Sequence, residues 1–318
     1  MLPVQIALGT PLGSQSVPAG SKAVIEVAGR RLTLSNLEKV LYPAAGFTKA
    51  GVIDYYVRVA PTMLPHLAGR AVTMVRFPNG VDGGSFFEKR CPSHAPAWVR
   101  RAPSEGDLVA CVVDDAPTLV WTANLAALEL HTLQARVDDP DHPTSMVFDL
   151  DPGPPADVLA CCRVALDLRD ALERLGLASV VKTSGSKGLH LAVPVRGATA
   201  DATKTFARSL GQLLAAQAPD RVTVVMAKEQ RANRVFVDWS QNDRHKTTVC
   251  AYSLRAQPRP MVSTPVAWDE VSDALDRGDP AALSFEAPDV LTRIERLGDP
   301  YAANLDTDQP LPRPVSSE

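Results

Sequence analysis

Two aspartates stand two residues apart in Met146-Val147-Phe148-Asp149-Leu150-Asp151. Side chains alternate along a strand, so Met146, Phe148 and Leu150 share one face and Asp149 and Asp151 share the other. Carboxylates about 7 Å apart along a strand repel unless a cation lies between them, and Mg²⁺ or Mn²⁺ with oxygen ligands is the natural occupant. A solvated strand end opening an Asp-x-Asp-Pro-Gly turn accounts for the same residues. A third carboxylate closes Val235-Phe236-Val237-Asp238, where burial is costly unless the group is paired or ligating. Three carboxylates on two strand ends can hold two ions for in-line displacement at phosphorus. A structural ion pair of Asp238 with Arg231, Arg234 or Arg244 is the alternative.

The segment Thr183-Ser184-Gly185-Ser186-Lys187-Gly188-Leu189-His190 suits a phosphate chain. Its glycines admit backbone N–H donors, its hydroxyls add more, and Lys187 supplies a point charge. It lacks the order and following helix of a Walker loop, and a plain hairpin tip has the same composition. Lys246 and Arg255 follow Asp238 and add cations. Upstream, Lys39 and Lys49 flank Tyr42-Pro43-Ala44-Ala45-Gly46, and Arg76, Lys89 and Arg90 surround Phe86-Phe87. Aromatics beside cations suit base stacking, although paired Phe is also ordinary core. On a strand, one of the two would face inwards and leave the other free.

The elements needed to position these groups can be read in outline. Residues 26–34 read as one strand, followed by a helical turn capped by Ser35 or Asn36 and running through Val40 and Leu41. Residues 49–67 carry a helical period, 71–77 a strand, and 116–130 a helix leading to His131. Residues 155–175 form an amphipathic helix ended by Gly176, and 179–183 and 189–194 pair as a hairpin. Residues 203–218 are helical, and 234–239 and 247–253 are strands. Mixed elements without a regular βαβ repeat predict an α+β architecture with an antiparallel or mixed sheet. The ends, 1–21 and 304–318, are too poor in apolar residues to offset ordering entropy and are expected to be an unordered leader and tail around a folded 22–303.

The chain has 318 residues, with 33 Lys and Arg against 36 Asp and Glu, a formal net charge of −3. The total is too balanced to advertise nucleic acid. Its distribution is not: residues 22–101 carry 12 basic and 5 acidic side chains, and 221–260 carry 8 and 3. No apolar run is long enough for a spanning helix, no secretory signal is legible, and the expected location is cytoplasmic and nucleoid-associated. The five cysteines are scattered and are expected to be free, partly buried thiols. Cys91-Pro-Ser-His94 has the spacing of half a zinc site, but no second half follows.

Taken in order, FDLDPG (148–153), TSGSKGLH (183–190) and VFVDWSQN (235–242) resemble the archaeo-eukaryotic primase superfamily, most closely the polymerase domain of bacterial DNA ligase D. LSNLEKVLYP (34–43), RFPNGVDGGSFFEK (76–89), AALELH (126–131) and KTTVCAYSLR (246–255) extend the resemblance over about 22–300. It implies a primase-polymerase fold, with an RRM-like catalytic sheet and flanking helices in 136–303 packed on an N-terminal α/β module in 22–135. It implies metal-dependent nucleotidyl transfer to a DNA or RNA primer 3′-OH, from NTPs or dNTPs and often favouring ribonucleotides, at gaps and double-strand-break ends, with primase activity as an extension.

By that resemblance, Asp149, Asp151 and Asp238 hold two Mn²⁺ or Mg²⁺ ions, while Ser184, Lys187, His190, Lys246 and Arg255 contact the triphosphate or sugar. His131 and Arg231 match active-site positions. Asn36, Lys39 and Lys49 match a 5′-phosphate pocket, Arg76 accompanies it as a DNA contact, and Phe86 and Phe87 match aromatics that stack on the template. The implied partners are DNA with a 3′-OH and a 5′-phosphate, a Ku-like protein and a separate ligase, with no membrane. Val75 stands where relatives often carry a basic residue, and 103–108 is short and acidic where they carry a longer loop, which argues against end bridging. No nucleotidyl-lysine ligase motif or nuclease extension is found, so a stand-alone polymerase or one excised domain is expected. A two-metal phosphoesterase and a non-catalytic end-binding module are the competing classes.

Overall fold

The computed structural model describes residues 22–312; the expected leader 1–21 and residues 313–318 of the expected tail lie outside them. Two six-stranded sheets carry the architecture. The first runs Val222–Thr223, Val235–Asp238, Ser145–Pro152, Leu189–Pro194, Val180–Thr183, Pro265–Val266, antiparallel except for the parallel first pair. The second runs Thr248–Val249, Ala127–Thr132, Ala71–Arg76, Val109–Val112, Arg101–Pro103, with Phe86–Glu88 also paired to Ala71–Arg76.

In the first sheet Met146, Phe148 and Leu150 are wholly buried against the apolar stripes of the helices Val158–Arg174 and Ala200–Gln217, through residues such as Cys161, Leu168, Ala207 and Leu214. Burying each large side chain contributes about 1.5–3 kcal/mol. A one-residue slip would expose all three and bury Asp149 and Asp151, so the core face fixes the carboxylates on the opposite face. The second sheet packs on Lys49–Leu67 and Ala116–Asn124, whose buried Tyr55, Tyr56, Met63, Leu119 and Val120 belong to a second core. Cys250, Tyr252, Leu254, Val290 and Tyr301 return to that core from late in the chain. Thr48 starts the first of these helices by accepting a hydrogen bond from Gly51 N at 3.3 Å.

Several expectations are corrected. Residues 22–35 are a hairpin, Lys22–Val27 and Arg30–Ser35, because Ala28 and Gly29 both take positive φ in a two-residue turn. Asn36 is left-handed at φ 53° rather than capping a helix, and Val40–Tyr42 is a strand. The helix expected over 116–130 ends at Asn124. Ala126 turns left-handed, and Ala127–Thr132 continues as a strand. Of 247–253, Thr248–Val249 alone is strand. Cys91 and Cys111 form a disulfide, so two of the five cysteines are not free thiols and Cys91 is not available to zinc; Cys161, Cys162 and Cys250 are free and buried. Residues 304–312 do not lie loose. Gln309 exchanges hydrogen bonds with Ala178 at 3.0 and 2.8 Å and accepts one from Arg196 N at 2.9 Å. Among the described residues no helix is long and apolar enough to cross a membrane.

Candidate active site

Four residues make one rung across the first sheet. Lys182 lies opposite His190, His190 opposite Asp149, and Asp149 opposite Asp238. Directly opposed residues share a face, and Asp151 joins them by its spacing from Asp149. The three carboxylates thus come together as the alternation requires. The alternative of an arginine pair for Asp238 is not what the structure shows, and local bonds hold the carboxylate instead. Its Oδ1 accepts from Ser240 N at 2.9 Å and from Ser240 Oγ, and its Oδ2 accepts from Gln241 Nε2 at 2.9 Å. Lys246 Nζ donates to Ser240 Oγ and so stands one hydroxyl away from Asp238.

The electrostatics separate the two aspartates of the first motif. Burial pushes Asp149 up, but His190 at 3.2 Å, with Lys182 and Arg255 behind it, outweighs burial and holds the carboxyl below its usual range. Asp151 is pushed up to about 6, first by burial and then by the charge of Asp149, with Asp238 adding to this and Arg231 opposing it. Arg231 lies over the Phe236 ring at 3.6 Å and donates to Met226 O. A face of carboxylates that repel one another is the donor set a hard divalent cation would relieve. Among the described residues no group of three or more His, Cys, Asp or Glu side chains is placed so that it could hold a metal ion without side-chain rearrangement. Asp238 Oδ2 keeps a lone pair beyond its bond from Gln241, and ligation there needs that side chain to turn.

The hairpin is built by its glycines. Ser184 N donates to Gly188 O at 2.9 Å, and Ser184 Oγ accepts from Ser186 N at 3.2 Å and Gly188 N at 3.1 Å, so this hydroxyl holds the turn. A Cβ on Gly188 would lie 1.9 Å from Leu150 O, and one on Gly185, at φ +68°, would lie 2.5 Å from Arg255 Cγ. Both glycines let the loop close against the strand bearing Asp149 and against Arg255. Lys187 is exposed at the tip and lines a cavity of about 390 Å³ with Asp157, Met261 and Phe285.

Arg255 joins the two sheets. Its Nε lies 3.3 Å from Glu129 Oε1, which also accepts from Ala256 N at 3.0 Å, while Glu129 Oε2 accepts from His131 Nε2 at 2.8 Å. Burial pushes Glu129 up, but the bond from His131 and the charge of Arg255 prevail and hold it low. Burial lowers His131 despite Glu129. The Phe87 ring meets His131 edge-on at 6.3 Å. The reading of one inward Phe is corrected: Phe86 is 44% and Phe87 66% exposed, because their short strand overhangs the core at the sheet's edge, and Arg76 covers Phe86 at 5.2 Å.

Cations cluster in the N-terminal part. Lys49 begins the helix Lys49–Leu67 and donates to Ser35 O at 2.7 Å, and Lys39 donates to Asn79 Oδ1 at 3.0 Å. Asn36 opens the tight turn whose Lys39 N returns to Asn36 O at 3.1 Å. Burial first, then Lys39 and Arg76, lowers Lys49 to about 8. Cations that repel one another beside a helix N-terminus suit a phosphate. Arg76 is partly neutralised by Glu88 at 2.9 Å.

Sequence reasoning missed Lys182 and Glu129. The available signal was the same for both: a charged residue inside a strand whose neighbours are apolar, as in Val180-Val181-Lys182 and Leu128-Glu129-Leu130.

One mixed and one antiparallel sheet with their packed helices, the first sheet carrying Asp149, Asp151 and Asp238 on one face, make the α+β fold of a primase-polymerase domain. The chain belongs to the family described as LigD, primase-polymerase domain, which matches residues 48–301. It is 42% identical over 292 residues to the multifunctional non-homologous end joining protein LigD of Mycolicibacterium smegmatis, covering 88% of this chain and 37% of that protein. It is 43% identical over 299 residues to the multifunctional non-homologous end joining DNA repair protein LigD of Mycobacterium tuberculosis, covering 89% and 38%. The chain therefore spans less than half the length of these relatives. Its structure is similar to the polymerase domain of Mycobacterium tuberculosis ligase D in complex with DNA, with a TM-score of 0.81 and 42% identity, covering 87% of this chain and 99% of that one.

Proposed function

We propose that this domain is a metal-dependent nucleotidyltransferase that extends a primer 3′-OH on DNA at gaps and double-strand breaks, with ribonucleoside triphosphates preferred. The observation that carries the reading is the rung placing Asp149 opposite Asp238, with Asp151 on the same face and Arg255 paired with Glu129 of the second sheet. Asp149, Asp151 and Asp238 are the residues that would hold Mg²⁺ or Mn²⁺, which when bound supplies activation of the 3′-OH and neutralisation of the departing pyrophosphate.

This chain's own groups do the rest. Lys187, Lys246 and Arg255 present cations to the triphosphate. Glu129 aims Arg255. Ser184 stands where a ribose 2′-OH could be sensed. Lys39, Lys49, Asn36 and the helix N-terminus receive a 5′-phosphate across the gap, and Phe87 offers a stacking plane for a template base. The names of the relatives support a role in non-homologous end joining, and a Ku-like protein and a separate ligase are the partners that go with this reading.

Primer extension tests the reading. A labelled primer in a 5′-phosphorylated gapped duplex, given Mn²⁺ and ribonucleotides, lengthens. Shortening of the primer would establish the phosphoesterase reading instead, and phosphate-dependent binding without incorporation would establish an end-binding module. Blunt and unprimed templates run alongside distinguish gap filling from terminal addition and priming.

A further inference from the structure

Lys182 is 3% exposed in the strand Val180–Thr183, and burial lowers it to about 7. Its Nζ meets Ser263 Oγ at 2.6 Å and His190 Nδ1 at 3.2 Å. A buried lysine whose side-chain partners are a hydroxyl and an imidazole is expensive to keep. Its placement explains its retention. Ser263 Oγ gives its own hydrogen to Thr183 O at 2.9 Å, so it can only accept from Lys182. On the other side, His190 Nε2 faces Asp149 Oδ1 at 3.2 Å, and a bare ring nitrogen against a carboxylate would be repulsive. The ring proton therefore belongs on Nε2, Nδ1 is the acceptor, and Lys182 is its donor.

We propose that Lys182 is a positioning residue: by donating to His190 Nδ1 it fixes the Nε2-protonated tautomer, which holds Asp149 by Oδ1 and leaves Oδ2 to face the cation. The proposal rests on Asp149 being a cation ligand. Outer partners of this kind typically change metal affinity 10–100-fold when removed. Arg255 and Asp149 are the other charges close to His190. Neither reaches Nδ1, so no other group in the rung duplicates the donor.

Nitrogen-15 NMR of histidine-labelled protein reads the tautomer directly, without nucleotide or DNA. The parent is expected to show His190 protonated on Nε2 alone, and Lys182→Met to show the Nδ1-protonated form or a mixture. Titration of Mn²⁺, followed by the spin resonance of the free ion, should give about tenfold weaker binding for Lys182→Met. Ser263→Ala, which keeps the His190 contact, should bind within about twofold of the parent. Because Lys182 is buried, the parent spectrum is decisive even if Lys182→Met does not fold: an Nδ1-protonated His190 in the parent overturns the proposal. So does a folded Lys182→Met with parental tautomer and Mn²⁺ affinity, or a Ser263→Ala that loses Mn²⁺ as severely as Lys182→Met. An unextended primer beside the expected tautomer and Mn²⁺ shift would remove the polymerase reading and leave the role of Lys182 standing.

Discussion

Asp149 and Asp238 face each other across adjacent antiparallel strands, the central Ser145–Pro152 and the short Val235–Asp238. Residues 89 positions apart are thereby set side by side by sheet register rather than by loop conformation. The site inherits the rigidity of the sheet, which suits chemistry needing sub-ångström placement of two carboxylates.

The crossing of the 183–189 turn over the strand end sets a steric limit. Gly188→Ala puts a methyl 1.9 Å from Leu150 O, and the backbone has to move to relieve it. We predict a destabilisation of about 3 kcal/mol, seen as a lower urea midpoint with unchanged slope. An unchanged midpoint would mean that the turn does not approach the strand as described.

Glu129 holds both His131 and Arg255. Glu129→Gln preserves the shape but removes the charge that pairs with Arg255 and weakens the hydrogen bond from His131, a bond to a charged group being worth about 1.5–3 kcal/mol. The expected outcome is a nucleotide KM raised about tenfold or more, with 5′-phosphate binding intact. An unaltered KM would show that Arg255 does not depend on this carboxylate for its aim.

Lys49, lowered to about 8, carries its charge below that pH and loses it above. The preference of the protein for a 5′-phosphorylated over a 5′-hydroxyl gap is therefore predicted to shrink between pH 7 and pH 9. Lys49→Gln should show the small preference at both pH values. Fluorescence anisotropy with the two gapped duplexes measures this, and a preference that grows with pH would contradict it.

Phe87 is 66% exposed and contributes little to the core. Phe87→Ala is expected to weaken binding to a gapped duplex about tenfold, in line with stacking of 1–3 kcal/mol per base, while leaving the melting temperature close to that of the parent. Phe86→Ala should cost less, because Arg76 already covers that ring. Equal losses, or a melting temperature lowered by several degrees for Phe87→Ala, would mark the pair as structural.

The parts legible from sequence were those where one local rule acts unopposed. The helix Lys49–Leu67 shows its period, and the alternation in 146–151 fixes the faces of the first motif. Residues 116–132 misled because a continuous apolar run has no period that separates buried helix from buried strand, and the left-handed Ala126 that divides them leaves no residue signature. Asn36 was read as a cap when it serves as a left-handed turn residue, two roles the same side chain fills. The Cys91–Cys111 bridge was invisible because pairing depends on how the loop bearing Cys91 docks on the strand Val109–Val112, where Cys91 N donates to Val109 O at 2.8 Å, not on spacing. Lys182 and Glu129 escaped because each acts through another side chain, and their partners, His190 and His131, drew the attention.

Nucleotidyl transfer at the Asp149–Asp238 rung is measured by single-turnover extension of a gapped, 5′-phosphorylated duplex by the parent, Asp149→Ala and Asp238→Ala. The parent is expected to extend the primer with Mn²⁺, and both variants to do so at a rate lower by at least about a thousandfold with DNA binding retained, on the order of the 4 kcal/mol that charge stabilisation at such sites contributes. Extension by Asp149→Ala at the parental rate would contradict this role of the rung.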